Sequence, residues 1–316
     1  MAKLYEFREA IRAFCGKYEL YVKIVIRFAL AMAAYFMINY NLGYMDRLNN
    51  MAILVVLAII SALLPVNVTV FISAVLVLLH LYALHLEVFA VGAVLFLVIL
   101  LLYFRFAPAY GFFSLLTPMS FGVGIPYLMP VSSGLLGSPS AFISVVGGTV
   151  VYYFLSGVKA SAGLISTNSK GGSEVDVLEL TLGQIFSNRE MFIVLIIFLA
   201  TAVIVYLLRR SSQDHAWLVA IAAGFIFNLI SLLVVYVVFE HLAMIVPLII
   251  GEVISTLIAL GIQFMVFSLD YSRVERVQFE DDEYYYYVKA VPKLYVPTEQ
   301  KKVKEFHKAD SGSEEE

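Results

Sequence analysis

Glu252 lies near the middle of an apolar run from Leu242 to Phe267 that carries no other charge. A carboxylate at the centre of a bilayer costs roughly 2.5–3.5 kcal/mol on insertion scales, and more in simulations. Such a group faces a water-filled cavity, pairs with a partner, or is protonated. A chain that keeps one there must wrap it in other helices, and this constrains the fold more than any other feature.

The rest of the chain has the composition for this. Hydrophobic residues make up 61% and charged residues 14%, against about half and a quarter in soluble domains. The excess lies between residues 20 and 267, in runs that reach the ~20 residues a helix needs to cross hydrocarbon. The alternating pattern of an outer-membrane barrel is absent. The expected class is therefore an all-α polytopic integral membrane protein. Three parts are expected: an amphipathic interfacial helix over 1–19, a transmembrane domain over 20–267 and a cytoplasmic tail over 268–316. The first apolar run lacks a small-residue cleavage site and reads as a retained span.

In the N-terminal part, Leu4, Phe7, Ile11 and Phe14 recur at helical spacing among Lys3, Arg8, Arg12 and Lys17, the pattern of a helix on an anionic membrane surface. Spans are expected at about Tyr21–Tyr40, Asn50–Leu64, Val66–His85, Glu87–Phe104, Ala141–Val158, Met191–Leu208, Ala216–Phe239 and Leu242–Phe267. Between the fourth and fifth, Phe106–Gly137 is apolar yet carries Pro108, Pro118, Pro126 and Pro130 with several glycines. These residues break helices. Broken backbone at membrane depth is tolerated only under protein or beside a water-lined cavity. The connection 159–190 is expected outside the cell, with a short surface helix at the membrane boundary whose capping box is Ser173 with Asp176 and which carries Val175, Leu178, Leu182, Ile185 and Phe186 on one face.

Basic residues at the N-terminus, Arg209-Arg210 and Arg273/Arg276 orient both termini to the cytoplasm of a cell membrane. An odd number of crossings must then lie between Arg105 and Lys159. Two full spans with a turn would need ~40 residues, and Phe106–Gly137 offers 32. The expectation is eight spans plus a Pro/Gly-rich re-entrant hairpin; ten spans, two of them short and tilted, is the alternative.

Asn228 and Glu252 lie at similar distances before and after the Glu240-His241 turn, so antiparallel helices bring them to one depth. Ser255 and Thr256 follow within a turn. His80 is a candidate second partner. Polar residues at midplane beside broken helices are a transporter pattern. The candidate transport residues are thus Glu252, Asn228, His80, Ser255, Thr256, Pro126 and Pro130, in a permease coupled to protons or cations through Glu252 or driven by a separate ATPase. A structural interhelical hydrogen bond explains the same residues equally well.

In the tail, Val274–Phe279 alternates at strand period and Tyr284–Val288 is rich in strand formers, so a β-hairpin is expected over 274–291, followed by a disordered Lys- and Glu-rich end. The second functional reading is a scaffold or assembly factor. A cytoplasmic partner, either an ATPase or a component of envelope machinery, would dock through 3–17 and 274–291. No phosphate loop, zinc-protease helix or serine-hydrolase elbow occurs. Neither catalysis nor a cofactor, metal or nucleic-acid partner is expected.

Overall fold

Long apolar runs without internal polar breaks leave the backbone one way to satisfy its own hydrogen bonds in lipid, which is to coil. The computed structural model, describing residues 2–168, 176–266, 275–281 and 283–290, is accordingly a set of helices with one small hairpin. The chain divides into two compact units, Tyr18–Phe267 and Met1–Lys17 with Ser268–Glu316.

The larger unit contains α2 (Glu19–Asn41), α3 (Met51–Leu63), α4 (Val66–Leu84), α5 (Leu86–Phe106), α6 (Gly111–Val123), α7 (Leu128–Leu136), α8 (Ala141–Asn168), α9 (Val177–Phe186), α10 (Arg189–Arg209), α11 (Ala216–Val238) and α12 (Ile245–Val266). Among the described residues, seven stretches are long and apolar enough to cross a membrane. This is a multi-pass membrane protein. Side-chain caps start several helices: Asn50 accepts from the Ala52 amide, Asp176 from Leu178 and Glu179, and Asn188 from Met191.

Three details differ from the sequence expectation. The second span shrinks to α3, 13 residues or about 20 Å of rise, short of a bilayer's ~30 Å. The fifth span does not stop at Val158 but continues to Asn168. In α9, Asp176 is the cap, and Ser173 lies outside the described residues. The buried face of α9 is Val177 and Thr181, while Leu178, Leu182 and Phe186 stay exposed. An apolar stripe in a membrane protein has lipid as an alternative to the core, so periodicity alone does not fix which way it turns.

Three hydrophobic clusters organise the unit. One joins α7, α8, α10, α11 and α12, another α4, α5, α8 and α9, and a third α2, α3, α4 and α5 with the start of α6. At one end of the bundle the start of α10 meets the α11–α12 turn, where His241 Nδ1 lies 3.6 Å from a Glu190 carboxylate oxygen. Near the opposite end of α10, Tyr206 packs edge-on against Phe142 at the start of α8.

In the smaller unit, α1 (Ala2–Lys17) leaves Leu4, Phe7 and Phe14 exposed and buries Arg8, whose guanidinium donates to Glu9 and lies 5.3 Å from the Tyr5 ring centroid. Strands β1 (Glu275–Glu280) and β2 (Tyr285–Ala290) pair antiparallel, with Val277 opposite Val288 and Phe279 opposite Tyr286. Phe279 and Tyr286 stack at 4.9 Å between centroids. The end of the chain beyond Pro297, expected to be disordered, lies outside the described residues.

Candidate functional site

The segment 106–137 forms two short helices around a sharp break. Gly124 adopts a left-handed conformation (φ 80°) and its amide caps α6 from Phe121 and Ser120. Pro126 follows, and α7 begins at Leu128. The prolines do not all break the chain. Pro118 sits inside α6 and leaves one carbonyl without its helical donor. Nearby, the hydroxyls of Thr117 and Ser120 donate to the Phe113 and Thr117 carbonyls, 2.6 Å in both cases; neither of these is the Ser114 carbonyl that the proline frees. Pro130 lies in the first turn of α7, where a missing amide donor costs nothing; its carbonyl accepts from Ser133 Oγ at 2.9 Å.

Helix α7 is unusual in having no exposed side until its last residue. Leu128 to Leu135 are all buried, against α10, α8, α12, α11 and α6. Its C-terminal carbonyls are held by one side chain from α10. Arg209 donates to the carbonyls of Leu135 and Gly137, a cation at the negative end of a helix. Just beyond, the Ser138 amide donates to Tyr110 Oη at 3.0 Å. The two ends of the broken segment therefore meet, while Gly124 at its tip is far along both short helices.

That tip touches α12. The Gly124 carbonyl and the Tyr127 ring press on Gly251, where a Cβ would lie 2.7 Å from the ring. The next residue is Glu252. Asn228 Nδ2 on α11 donates to Glu252 Oε1 at 3.0 Å, with Asn228 fully buried and Glu252 4% exposed. Among the described residues, the second carboxylate oxygen, Asn228 Oδ1 and the buried Ser255 Oγ have no hydrogen-bond partner. Buried orphans of this kind are rare in native structures. Thr256 is differently engaged, its hydroxyl donating to the Glu252 carbonyl at 2.8 Å.

The candidates therefore sort into three groups. Glu252, Asn228 and Ser255 form one polar cluster, with Pro126 buried in the adjoining turn and Thr256 serving the α12 backbone. Pro130 lies deeper in α7. His80 is elsewhere. Its Nε2 lies 2.8 Å from Asn39 Oδ1 and its Nδ1 accepts from the Met45 amide at 3.2 Å. Because Nδ1 receives a backbone N–H, the proton sits on Nε2 and points at Asn39. Asn39 Nδ2 in turn donates to the Leu48 carbonyl at 2.5 Å. His80 thus ties the α2–α3 connection to α4 and does not join Glu252.

Sequence reasoning missed Arg209, Gly251 and Tyr127. A paired arginine at a helix end reads as an orientation signal, and nothing in sequence links it to carbonyls more than 70 positions away. Gly251 directly precedes Glu252, and its role is to admit the Gly124 carbonyl. Among the described residues, no group of three or more His, Cys, Asp or Glu side chains is placed to hold a metal ion. No family model, curated protein or solved structure matches the chain.

Proposed function

We propose that this chain is a membrane carrier in which α6 and α7 form a re-entrant hairpin whose tip meets a coupling site at Glu252, Asn228 and Ser255. The observation that carries the reading is the contact of the Gly124 tip with Gly251, beside a carboxylate oxygen, an amide oxygen and a hydroxyl that no protein donor satisfies. Three unpaired oxygens suit a bound cation, and a protonated carboxyl suits the amide oxygen as acceptor. A tip that moves against α12 would open and close access to them.

The hydrogen bond between Tyr110 and Ser138 supports re-entry, since two tilted spans would part the ends of the segment by the width of the bilayer. Eight crossings then remain, with α3 the short one, reached by bilayer thinning or flanking residues. The end carrying Arg105, Arg209 and Arg210 is assigned to the cytoplasm, together with both termini.

The test is purified protein in liposomes on a solid-supported membrane, challenged with a panel of solutes under proton or sodium gradients. A solute-evoked current lost in Glu252→Gln, with unchanged elution and melting, is the expected result. A mutant current of wild-type size removes the carboxylate from coupling.

A scaffold role is favoured by one different feature. Among the described residues the β1–β2 hairpin pairs with no further strand, and it exposes Tyr284, Tyr285 and Tyr287; isolated hairpins are marginal in water and readily extend a partner's sheet. Deleting 275–290 should then abolish co-purification of a cytoplasmic protein without affecting solute currents.

A further inference from the structure

On the other side of α6 is a cavity of about 370 Å³ between α2, α4, α5, α6 and α8, within the range of small-molecule sites. Its walls are largely apolar, with Ile38, Val77, Phe96, Leu115, Met119 and Leu155 among them. Its polar groups gather at two ends. Toward one end are Ser73 on α4 and Ser144 on α8, both buried, whose hydroxyls have no partner. At the other is Lys159, whose Nζ donates to Asn41 Oδ1 at 3.1 Å; the amide nitrogen of Asn41 donates to the Met37 carbonyl at 3.0 Å. Among the described residues no carboxylate pairs with Lys159.

Ser144 and Lys159 are both on α8, and the helical rise sets them ~22 Å apart along its axis. One cavity touches both. It is therefore long relative to its volume, with room for one chain abreast, and it extends over more than half of the ~30 Å hydrocarbon layer. An exposed cation with only a neutral partner closes one end. A neutral hydrocarbon would fill the length and leave the cation idle, whereas a headgroup anion matches it. We propose that this cavity binds a single-chain anionic amphiphile, with its carboxylate or phosphate head on Lys159 and its chain running along α8 toward Ser144. The hydroxyls of Ser73 and Ser144 mark the inner limit of the apolar section.

The proposal is independent of the carrier reading, because none of Asn228, Glu252 and Ser255 lines this cavity. It is tested in nanodiscs of zwitterionic phosphatidylcholine with a diazirine-bearing long-chain fatty acid, the crosslinks being mapped by mass spectrometry. Labelling should saturate, fall on Ile38, Phe96 and Met119, and be competed by unlabelled fatty acid or by the matching alkyl phosphate. The better competitor identifies the head. The matching fatty alcohol should compete about tenfold less well, and Lys159→Gln, an exposed substitution, should weaken labelling by a similar factor. Ser144→Phe, which fills the inner end, should abolish it; where that variant misfolds, Lys159→Gln still decides. Labelling that does not saturate, competition by the alcohol equal to that by the acid, or full labelling of Lys159→Gln would each overturn the proposal and leave only boundary lipid.

Discussion

Gly251 on α12 faces the carbonyl oxygen of Gly124 across a gap that no side chain can enter. Gly251→Ala should therefore destabilise the protein by about 1–3 kcal/mol, the usual cost of overpacking. Gly261→Ala on the same helix, where nothing lies within 4 Å, should be neutral or slightly stabilising through helix propensity. Thermal unfolding of the two variants in one detergent checks the contrast.

Asn228→Ala removes the one donor to the Glu252 carboxylate seen among the described residues. Leaving a buried acceptor unpaired costs about 1–3 kcal/mol, so the melting temperature should fall. Glu252→Gln keeps the shape and retains an amide pairing, and its melting temperature should stay unchanged. A larger loss for Glu252→Gln than for Asn228→Ala would mean that the carboxylate has a partner of another kind.

Arg209→Gln releases the carbonyls of Leu135 and Gly137. Charge-assisted hydrogen bonds of this sort contribute roughly 1.5–3 kcal/mol. The expected result is lower stability and faster amide exchange through 133–138. Arg210, which donates to Tyr206 at the exposed surface, serves as control: Arg210→Gln should stay within about 0.5 kcal/mol.

His80→Ala should loosen the connection between α2 and α3 by removing the acceptor of the Met45 amide and the donor to Asn39. Limited proteolysis within 42–50 should accelerate. Solute currents, where measured, should persist, because His80 does not touch the Glu252 cluster.

The hairpin turn carries a pH dependence. Asp281 accepts from the Tyr286 hydroxyl at 2.8 Å and from the amides of Glu283 and Tyr284. These bonds, the tyrosine first, hold its carboxyl below the ordinary aspartate range. A depressed carboxyl contributes its stabilisation above the unfolded value, and that contribution is lost as pH falls through the folded one. Exchange at Glu283 and Tyr284 should thus be flat near neutrality and rise, relative to intrinsic rates, only in acid. Asp281→Asn should remove the acid-induced change.

The polar pair at 228 and 252 was legible because antiparallel helices joined by a tight turn obey simple arithmetic: equal distances from the turn mean equal depth. The break near Gly124 was legible from glycine and proline density, although Pro118 shows that density does not name the breaking residue. His80 was misleading for a physical reason. A histidine in an apolar run signals that a partner exists, and here the partner is a loop amide, which carries no sequence signature. The cavity beside Lys159 was not legible at all. It arises from the mutual angles of five helices, and no residue type encodes an empty space.

The complete burial of α7 has a consequence for how the protein is made. Nine residues are too few to span lipid unaided, and several of the surfaces that enclose them, on α10, α11 and α12, emerge later from the ribosome. During synthesis this element must wait, half inserted or still at the membrane surface, until its neighbours arrive. A chain truncated before α10 should for that reason be held by quality-control proteases, even though every span it contains is apolar enough to enter the bilayer.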